Sequence, residues 1–283
     1  MRNLLESMTE KMTESATANS SMSEADRAKL ASLGYIVGRR PDESPPAEAA
    51  LPDVKDMIRH YNSEIAAREL LEAGKLPEAE EKLRDVINSA PEFLTARTTL
   101  GRVLQRQKRI DEAIDVYQET LKREPNSAEA HFDLAVVLAS KGQLDAAIEH
   151  YNKVLETGRL RSMTHINLGG VYAFKGDKGL ARKHFQLGLE EFPDSASGHF
   201  GFGMFLAKEG NVDQGLTHIK RAVKLDPANP AMHYHLGFIL HSLGIFADAQ
   251  TQFEECLRLD PQNAKARQQL ERAKMRQPPV RSQ

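Results

Sequence analysis

The chain has 283 residues, 40% of them hydrophobic, with 38 Lys and Arg against 40 Asp and Glu for a formal net charge of −2. No apolar run is long enough to cross a bilayer, and the near-neutral balance argues against nucleic acid as the general partner. One cysteine, Cys256, leaves no partner for an internal disulfide and too few thiolates for a cysteine-rich zinc site.

Residues 1–52 differ in texture from the rest of the chain. Residues 2–11 suit a turn or two of helix, and 13–23 have the Ser/Thr/Ala/Asn composition of a disordered segment. Residues 25–35 read as a short helix, and Arg40-Pro41 through Pro45-Pro46-Ala47 is a linker. Residues 1–20 lack the apolar stretch of a secretion signal. The chain as written is expected in the cytoplasm, or exported if it is the tail of a longer precursor.

From residue 53 a 34-residue ruler takes over. Gly74, Gly142, Gly176, Gly210 and Gly244 lie on it, as do Pro91, Pro125, Pro193, Pro227 and Pro261; Lys108 and Arg159 fill the two skipped places. A small-residue column (Ala79, Ala113, Ala147, Ala181, Gly215, Ala249) and a bulky one (Leu83, Tyr117, Tyr151, Phe185, Ile219, Phe253) keep the same register. A Leu-Gly or Leu-Ala pair recurs at Leu100-Gly101, Leu134-Ala135, Leu168-Gly169 and Leu236-Gly237. Within one unit Leu134, Leu138, Ala147, Ile148, Tyr151, Val154 and Leu155 fall at helical spacing. Each unit is therefore two short helices. The glycine ends the first, Asp111, Asp145 and Asp213 are expected to cap the second, and the proline separates units. Six units span about 60–93, 94–127, 128–161, 162–195, 196–229 and 230–263. Arg159 predicts a different bend after unit three, and Gly215 with Ile219 predicts a weaker unit five. Residues 264–283 read as a capping helix and a basic tail ended by Pro278-Pro279.

These columns resemble the tetratricopeptide repeat (TPR) family. The resemblance implies an all-α, right-handed superhelix of six helix-turn-helix units plus a C-terminal capping helix, acting as a non-catalytic scaffold for protein–protein interaction. In such arrays the first helices line a concave groove. Here that implies apolar and polar contacts from Phe132, Asp133, Val136, Met163, Ile166, Asn167, Phe174, Phe200, Met204, Tyr234, His235 and Phe238, with a basic mouth from Arg68, Arg102 and Arg106. The expected partner is a protein or peptide with apolar anchors, and neither nucleic acid nor a membrane.

A second resemblance covers about 30 residues. Lys29-Leu30-Ala31-Ser32-Leu33-Gly34-Tyr35, a Pro-rich linker and Leu51-Pro52-Asp53-Val54-Lys55-Asp56 are similar to the tail of bacterial sulfatase-like hydrolases that carry TPR repeats after the catalytic domain. That family's Cys/Ser-x-Pro-x-Arg sequence has no counterpart, since Cys256 is followed by Leu257-Arg258. The resemblance implies a detached regulatory or docking portion with a sulfatase-like partner.

Other columns suggest chemistry. His131, His165, His199 and His233 form one ladder, and His150, His184 and His218 a second. Equivalent residues on neighbouring helices lie about 8–10 Å apart, too far to share a metal at about 2 Å from each nitrogen, so packing is expected. His233, His235 and His241 lack a metalloprotease spacing. Gly198, Gly201 and Gly203 mimic a nucleotide loop but fall inside a predicted helix with no preceding strand; they are read as close-packing or groove-widening. Cys256 is read as a small core residue. No catalytic, cofactor or metal site is expected.

Overall fold

In the computed structural model, which describes residues 54–276 (side chains from Met57 onward), every glycine of the column ends a helix. Gly74, Gly142, Gly176, Gly210 and Gly244 sit at φ between +74° and +90°, the left-handed region where a side chain is strained and glycine is not. Each turn closes by a bond from the following residue, as from the Gln143 N–H to the Leu138 carbonyl at 2.9 Å. Lys108 takes the same turn at φ 64°, a conformation that costs a non-glycine residue about 1–2 kcal/mol. The readings placed on residues 1–53, including the sulfatase-like segment, and on Pro278-Pro279 lie outside the described residues.

Thirteen helices and no strand are formed among the described residues. They are α1 (Val54–Glu72), α2 (Leu76–Ser89), α3 (Leu94–Arg106), α4 (Ile110–Arg123), α5 (Ala128–Ser140), α6 (Leu144–Glu156), α7 (Arg161–Lys175), α8 (Lys178–Glu191), α9 (Ala196–Lys208), α10 (Val212–Leu225), α11 (Pro230–Ser242), α12 (Phe246–Leu259) and α13 (Ala264–Lys274). From α1 to α12 odd-numbered helices are the first of each unit and even-numbered ones the second, and α13 follows unit six. The result is an all-α helical-repeat fold.

The expected aspartate caps are corrected. The N-cap positions of α4, α6 and α10 are Arg109, Gln143 and Asn211, none bonding through its side chain. Asp111, Asp145 and Asp213 sit inside the first turn, because the left-handed residue stands three positions upstream of each and the helix begins one position upstream. They still complement the helix dipole there. Asp111 and Asp145 also pair with Lys141 and Lys175 of the following unit. In α8 the cap is Asp177, which accepts from the Leu180 N–H at 3.0 Å.

The prolines do more than stop helices. The residue six positions on reaches back to the proline carbonyl: His131 to Pro125 at 2.9 Å, His199 to Pro193 at 2.9 Å, His233 to Pro227 at 3.0 Å, Arg267 to Pro261 at 2.7 Å, and Arg97 to Pro91 at a long 3.5 Å. This hook fastens one unit to the next. Among the described residues it is missing only after unit three, where Arg159 replaces proline. There Gly158 and Leu160 both turn left-handed, at φ 72° and 51°, and α7 starts at Arg161, one residue ahead of the 34-residue register.

The core runs along the array between first and second helices. Tyr117, Tyr151, Phe185 and Phe253 are at most 2% exposed, each burial being worth roughly 1.5–3 kcal/mol. Their rings press on the backbone of the facing helix. A Cβ added at Gly101 would lie 2.4 Å from the Tyr117 ring, and one at Gly169 2.7 Å from that of Phe185. Unit five reaches the same end differently. Ile219 is smaller than an aromatic ring, and Gly203 and Gly215 let α9 and α10 meet backbone to backbone: a Cβ on either would lie 2.7–2.8 Å from the other's carbonyl oxygen. Gly198 and Gly201 likewise abut Ile166 and Phe185, so these glycines close-pack and widen nothing. At the far end α13 buries Ala266, Leu270 and Ala273, with Asn263 capping it through the Ala266 N–H at 3.0 Å.

Candidate binding groove

Helical period decides which side chains of the first helices stay uncovered. Residues on the side facing the second helix, such as Leu134 and Leu168, are fully buried, while in the columns reading Phe132, Ile166, Phe200, Tyr234 and Val136, Gly170, Met204, Phe238 all but buried Ile166 and exposed Gly170 lie between core and solvent. Phe132 and Val136 are half-buried against the core of units one to four. Met204, Tyr234 and Phe238 pack on the core around Phe253. The Phe200 ring lies 5.5 Å from His235, and Tyr234 contacts both His235 and Phe253. Burial, with Lys265 nearby, holds the His235 imidazole below its ordinary pKa. Ile166 is 7% exposed, its side chain wedged against Gly188 and Gly198.

The basic residues of units one and two are largely neutralised. Arg68 pairs with Glu64, which is 1% exposed and also accepts from the Thr99 hydroxyl at 2.7 Å. The Arg102 Nε–H donates to Asp133 Oδ2 at 2.7 Å. Burial lifts the Asp133 carboxyl above the usual carboxylate range against the opposing pull of Arg102. Asp133 thus holds an arginine of the preceding unit. Of the three arginines, Arg106 is the one exposed on the last turn of α3 without such a carboxylate among the described residues.

One concavity gathers several of the remaining residues. A cleft of about 700 Å³ opens between the C-terminal halves of α5 and α7, lined by Val136, Ala139, Tyr151, Asn167, Gly170 and Phe174 among others. Tyr151 is 2% exposed and shares the cleft lining with Asn167. Gly170 forms open floor, with no atom within 4 Å of where a Cβ would stand. Phe174 stands at the rim with 79% of its surface exposed, and Met163 on the same helix is 48% exposed. The structure therefore brings Val136, Asn167 and Phe174 together and leaves Phe200, Met204, Tyr234, His235 and Phe238 in a separate aromatic cluster. Tyr151 and Gly170 are among the members that sequence reasoning passed over, with Ala139, Leu144 and Val171. The Gly169-Gly170 pair was the available signal: one glycine faces the Phe185 ring, the other faces open space.

The two histidine ladders turn out to be one feature. His131 faces His150, His165 faces His184 and His199 faces His218, Nδ1 to Nδ1, and His233 faces Gln252. Among the described residues no group of three or more His, Cys, Asp or Glu could hold a metal, and no helix is long and apolar enough to cross a membrane. Cys256 is buried and its thiol is pushed up by burial.

Two-helix units stacked on a shared core, with an uncovered face along their first helices, define a helical-repeat solenoid. The family model for the tetratricopeptide repeat matches residues 66–121, 98–161 and 200–264, more than half of the sequence. The chain belongs to the tetratricopeptide-repeat family, whose members act generally as protein-interaction scaffolds. The match starts at residue 66, and no comparison supports the sulfatase-like resemblance expected for residues 29–56. No curated protein sequence matches the chain. Among solved structures it is similar to a chain of the APC/C Cut9–Hcn1 hetero-tetramer (TM-score 0.68, 18% identity, 76% of this chain and 42% of that one). It is similar too to PilW, a type IV pilus biogenesis factor (0.64, 18%, 75% and 96%), and to a tetratricopeptide repeat protein from Parabacteroides merdae (0.51, 16%, 76% and 98%). The chain thus spans less than half of the first of these. At such identities the likeness concerns the fold alone.

Proposed function

We propose that the chain is a non-catalytic scaffold that holds a segment of a partner protein along the face of its first helices, with an apolar side chain seated in the cleft beside Phe174. The observation that carries this reading is Phe174 itself: an aromatic ring 79% exposed at the mouth of a cleft walled by Val136, Ala139 and Val171. Ligand sites are typically concave and mostly apolar with a few polar groups, and Asn167 is such a group in the lining. Aromatic anchors dominate interface energetics where they become desolvated. Met163 extends the contact surface along α7, and the aromatic cluster of Phe200, Tyr234 and His235 continues it toward α13.

The test is selection of a random peptide display library on the full chain, repeated with Phe174→Ala. Because Phe174 buries little in the free protein, its truncation is expected to leave stability within about 0.5 kcal/mol and to abolish binding of the enriched peptides. Peptides that bind both proteins equally, or no enrichment on the wild type, would overturn the cleft assignment.

A further inference from the structure

Each of three consecutive units holds two imidazoles with their Nδ1 atoms facing. The separations are 2.8 Å for His131 and His150, 3.1 Å for His165 and His184, and 2.8 Å for His199 and His218, with ring centroids 5.0–5.2 Å apart. Two Nδ1 atoms at hydrogen-bond distance need one proton between them, so one ring donates and the other accepts. In units three and five the second nitrogen settles which. Nε2 of His131 and of His199 faces a proline carbonyl, which only accepts. Each therefore carries its proton on Nε2 and accepts on Nδ1, and His150 and His218 must hold theirs on Nδ1, the donating side.

We propose that the three histidine pairs are acid-sensitive clips between the first and second helices of units three to five, each keeping its bond through one added proton and opening on the second. The first proton enters at the free Nε2 of the donating ring, and the Nδ1–H···Nδ1 bond survives as a charge-assisted one. A second proton puts hydrogen on both Nδ1 atoms and two positive charges in contact, so the rings must part. Protons here belong to the pair and not to either ring. The surroundings favour the neutral state. Burial lowers His150, His165, His184 and His218 below the ordinary imidazole value, and the facing ring lowers His150, His184 and His218 further, His184 to about 4. Charged groups near the pairs are Glu149 at the first, with Lys153 and Glu156 lining the small cleft beside His131, and Arg161, Lys183 and Glu191 at the second. Tyr172 stacks on His184, and Phe202 sets its edge against His218.

Unit six supplies a contrast within the same chain. His233 Nδ1 faces Gln252 Oε1 at 2.8 Å and Nε2 faces the Pro227 carbonyl at 3.0 Å, so a protonated His233 finds two acceptors and no conflict. Gln252 lies 34 residues after His218, and replacing the second-helix histidines by glutamine copies an arrangement the fold already uses.

The experiment compares the full chain with H150Q/H184Q/H218Q by urea unfolding from pH 7.5 to 4.5. A folded-state pKa below the unfolded value near 6.5 means stability fully present above 6.5 and lost as pH falls toward the folded pKa. The wild-type folded-to-unfolded ratio is expected to fall more steeply than the variant's in that window, by about tenfold per pH unit for each pair. Equal acid dependence would overturn the proposal. Ring nitrogen NMR of the wild type at pH 7.5 tests it independently of whether the variant folds: His150 and His218 are expected as the Nδ1–H tautomer, and an Nε2–H tautomer at both would refute it.

Discussion

The close approach of α9 and α10 predicts opposite signs for one substitution at two glycines. Gly→Ala in a helix interior is favourable by about 0.8–1.0 kcal/mol when nothing obstructs the methyl group. At Gly170, on the exposed side of α7, nothing lies within 4 Å of the new Cβ, so Gly170→Ala is expected to stabilise by close to that amount. At Gly203 the Cβ would stand 2.7 Å from Ile219 Cγ1 and 2.8 Å from the Gly215 carbonyl oxygen. The side-chain contact could relax, but the backbone oxygen moves only if the helices separate. Overpacking of this kind costs about 1–3 kcal/mol, which outweighs the helical gain and leaves Gly203→Ala destabilised by up to about 2 kcal/mol. Urea midpoints at constant slope report the difference. Gly215→Ala meets the same contact from the other side, at 2.7 Å from the Gly203 carbonyl oxygen. The two substitutions should therefore couple, the double variant losing less than the sum. Equal stabilisation by Gly170→Ala and Gly203→Ala would refute the backbone-contact reasoning.

Two further outcomes concern the backbone and the ion pairs. Lys108→Gly relieves the left-handed conformation at φ 64° and is expected to raise stability by about 1 kcal/mol, seen as a higher thermal midpoint. Arg102→Ala leaves the buried Asp133 carboxylate without its guanidinium, a loss of about 1–3 kcal/mol at pH 7, toward the lower end because Arg102 is partly solvent-exposed. Asp133 already titrates above the usual range, and removing the cation raises it further. The Arg102→Ala deficit should therefore shrink as pH falls and the carboxyl protonates. A deficit that grows on acidification would show that Asp133 is not the group left exposed by the substitution.

The fold was legible because its determinants are local and repeated: a glycine where the chain must turn left-handed, a small residue opposite a ring, a proline at the unit boundary. What escaped the sequence were contacts between units. Asp111, Asp145 and Asp213 looked like caps because they precede the apolar run, yet the N-cap position lies two residues earlier and two of them bind a lysine of the next unit. Arg102 looked like free charge until α5 brought Asp133 to it. The histidine ladders were visible, and so was their constant offset of 19 residues, but reading that offset as a bond requires knowing which faces of the two helices meet. The proline hook is the same case, since an i to i+6 contact across a unit boundary has no signature in helical periodicity.

A groove made from a uniform repeat would be uniform along its length, so departures from the repeat are where selectivity can reside. Three of them fall in units three and four. Arg159 takes the place of a proline, and that junction lacks the hook found at the others. Gly170 occupies a column otherwise filled by Arg68, Arg102, Val136, Met204 and Phe238. Phe174 occupies one that otherwise reads Glu72, Arg106, Ser140, Lys208 and Ser242. Gly170 and Phe174 line the cleft, whose walls come from units three and four, the two units that the unhooked junction joins. The missing methyl at Gly170 deepens the floor, the ring at Phe174 extends the wall, and the junction that joins the two walls is the one the proline hook does not fasten. None of these changes improves packing: Gly170 forgoes helix stability, Phe174 leaves apolar surface in water, and Arg159 forgoes a hydrogen bond. Stability does not explain Gly170 and Phe174, and the proposed seating of a partner's side chain in the cleft accounts for both.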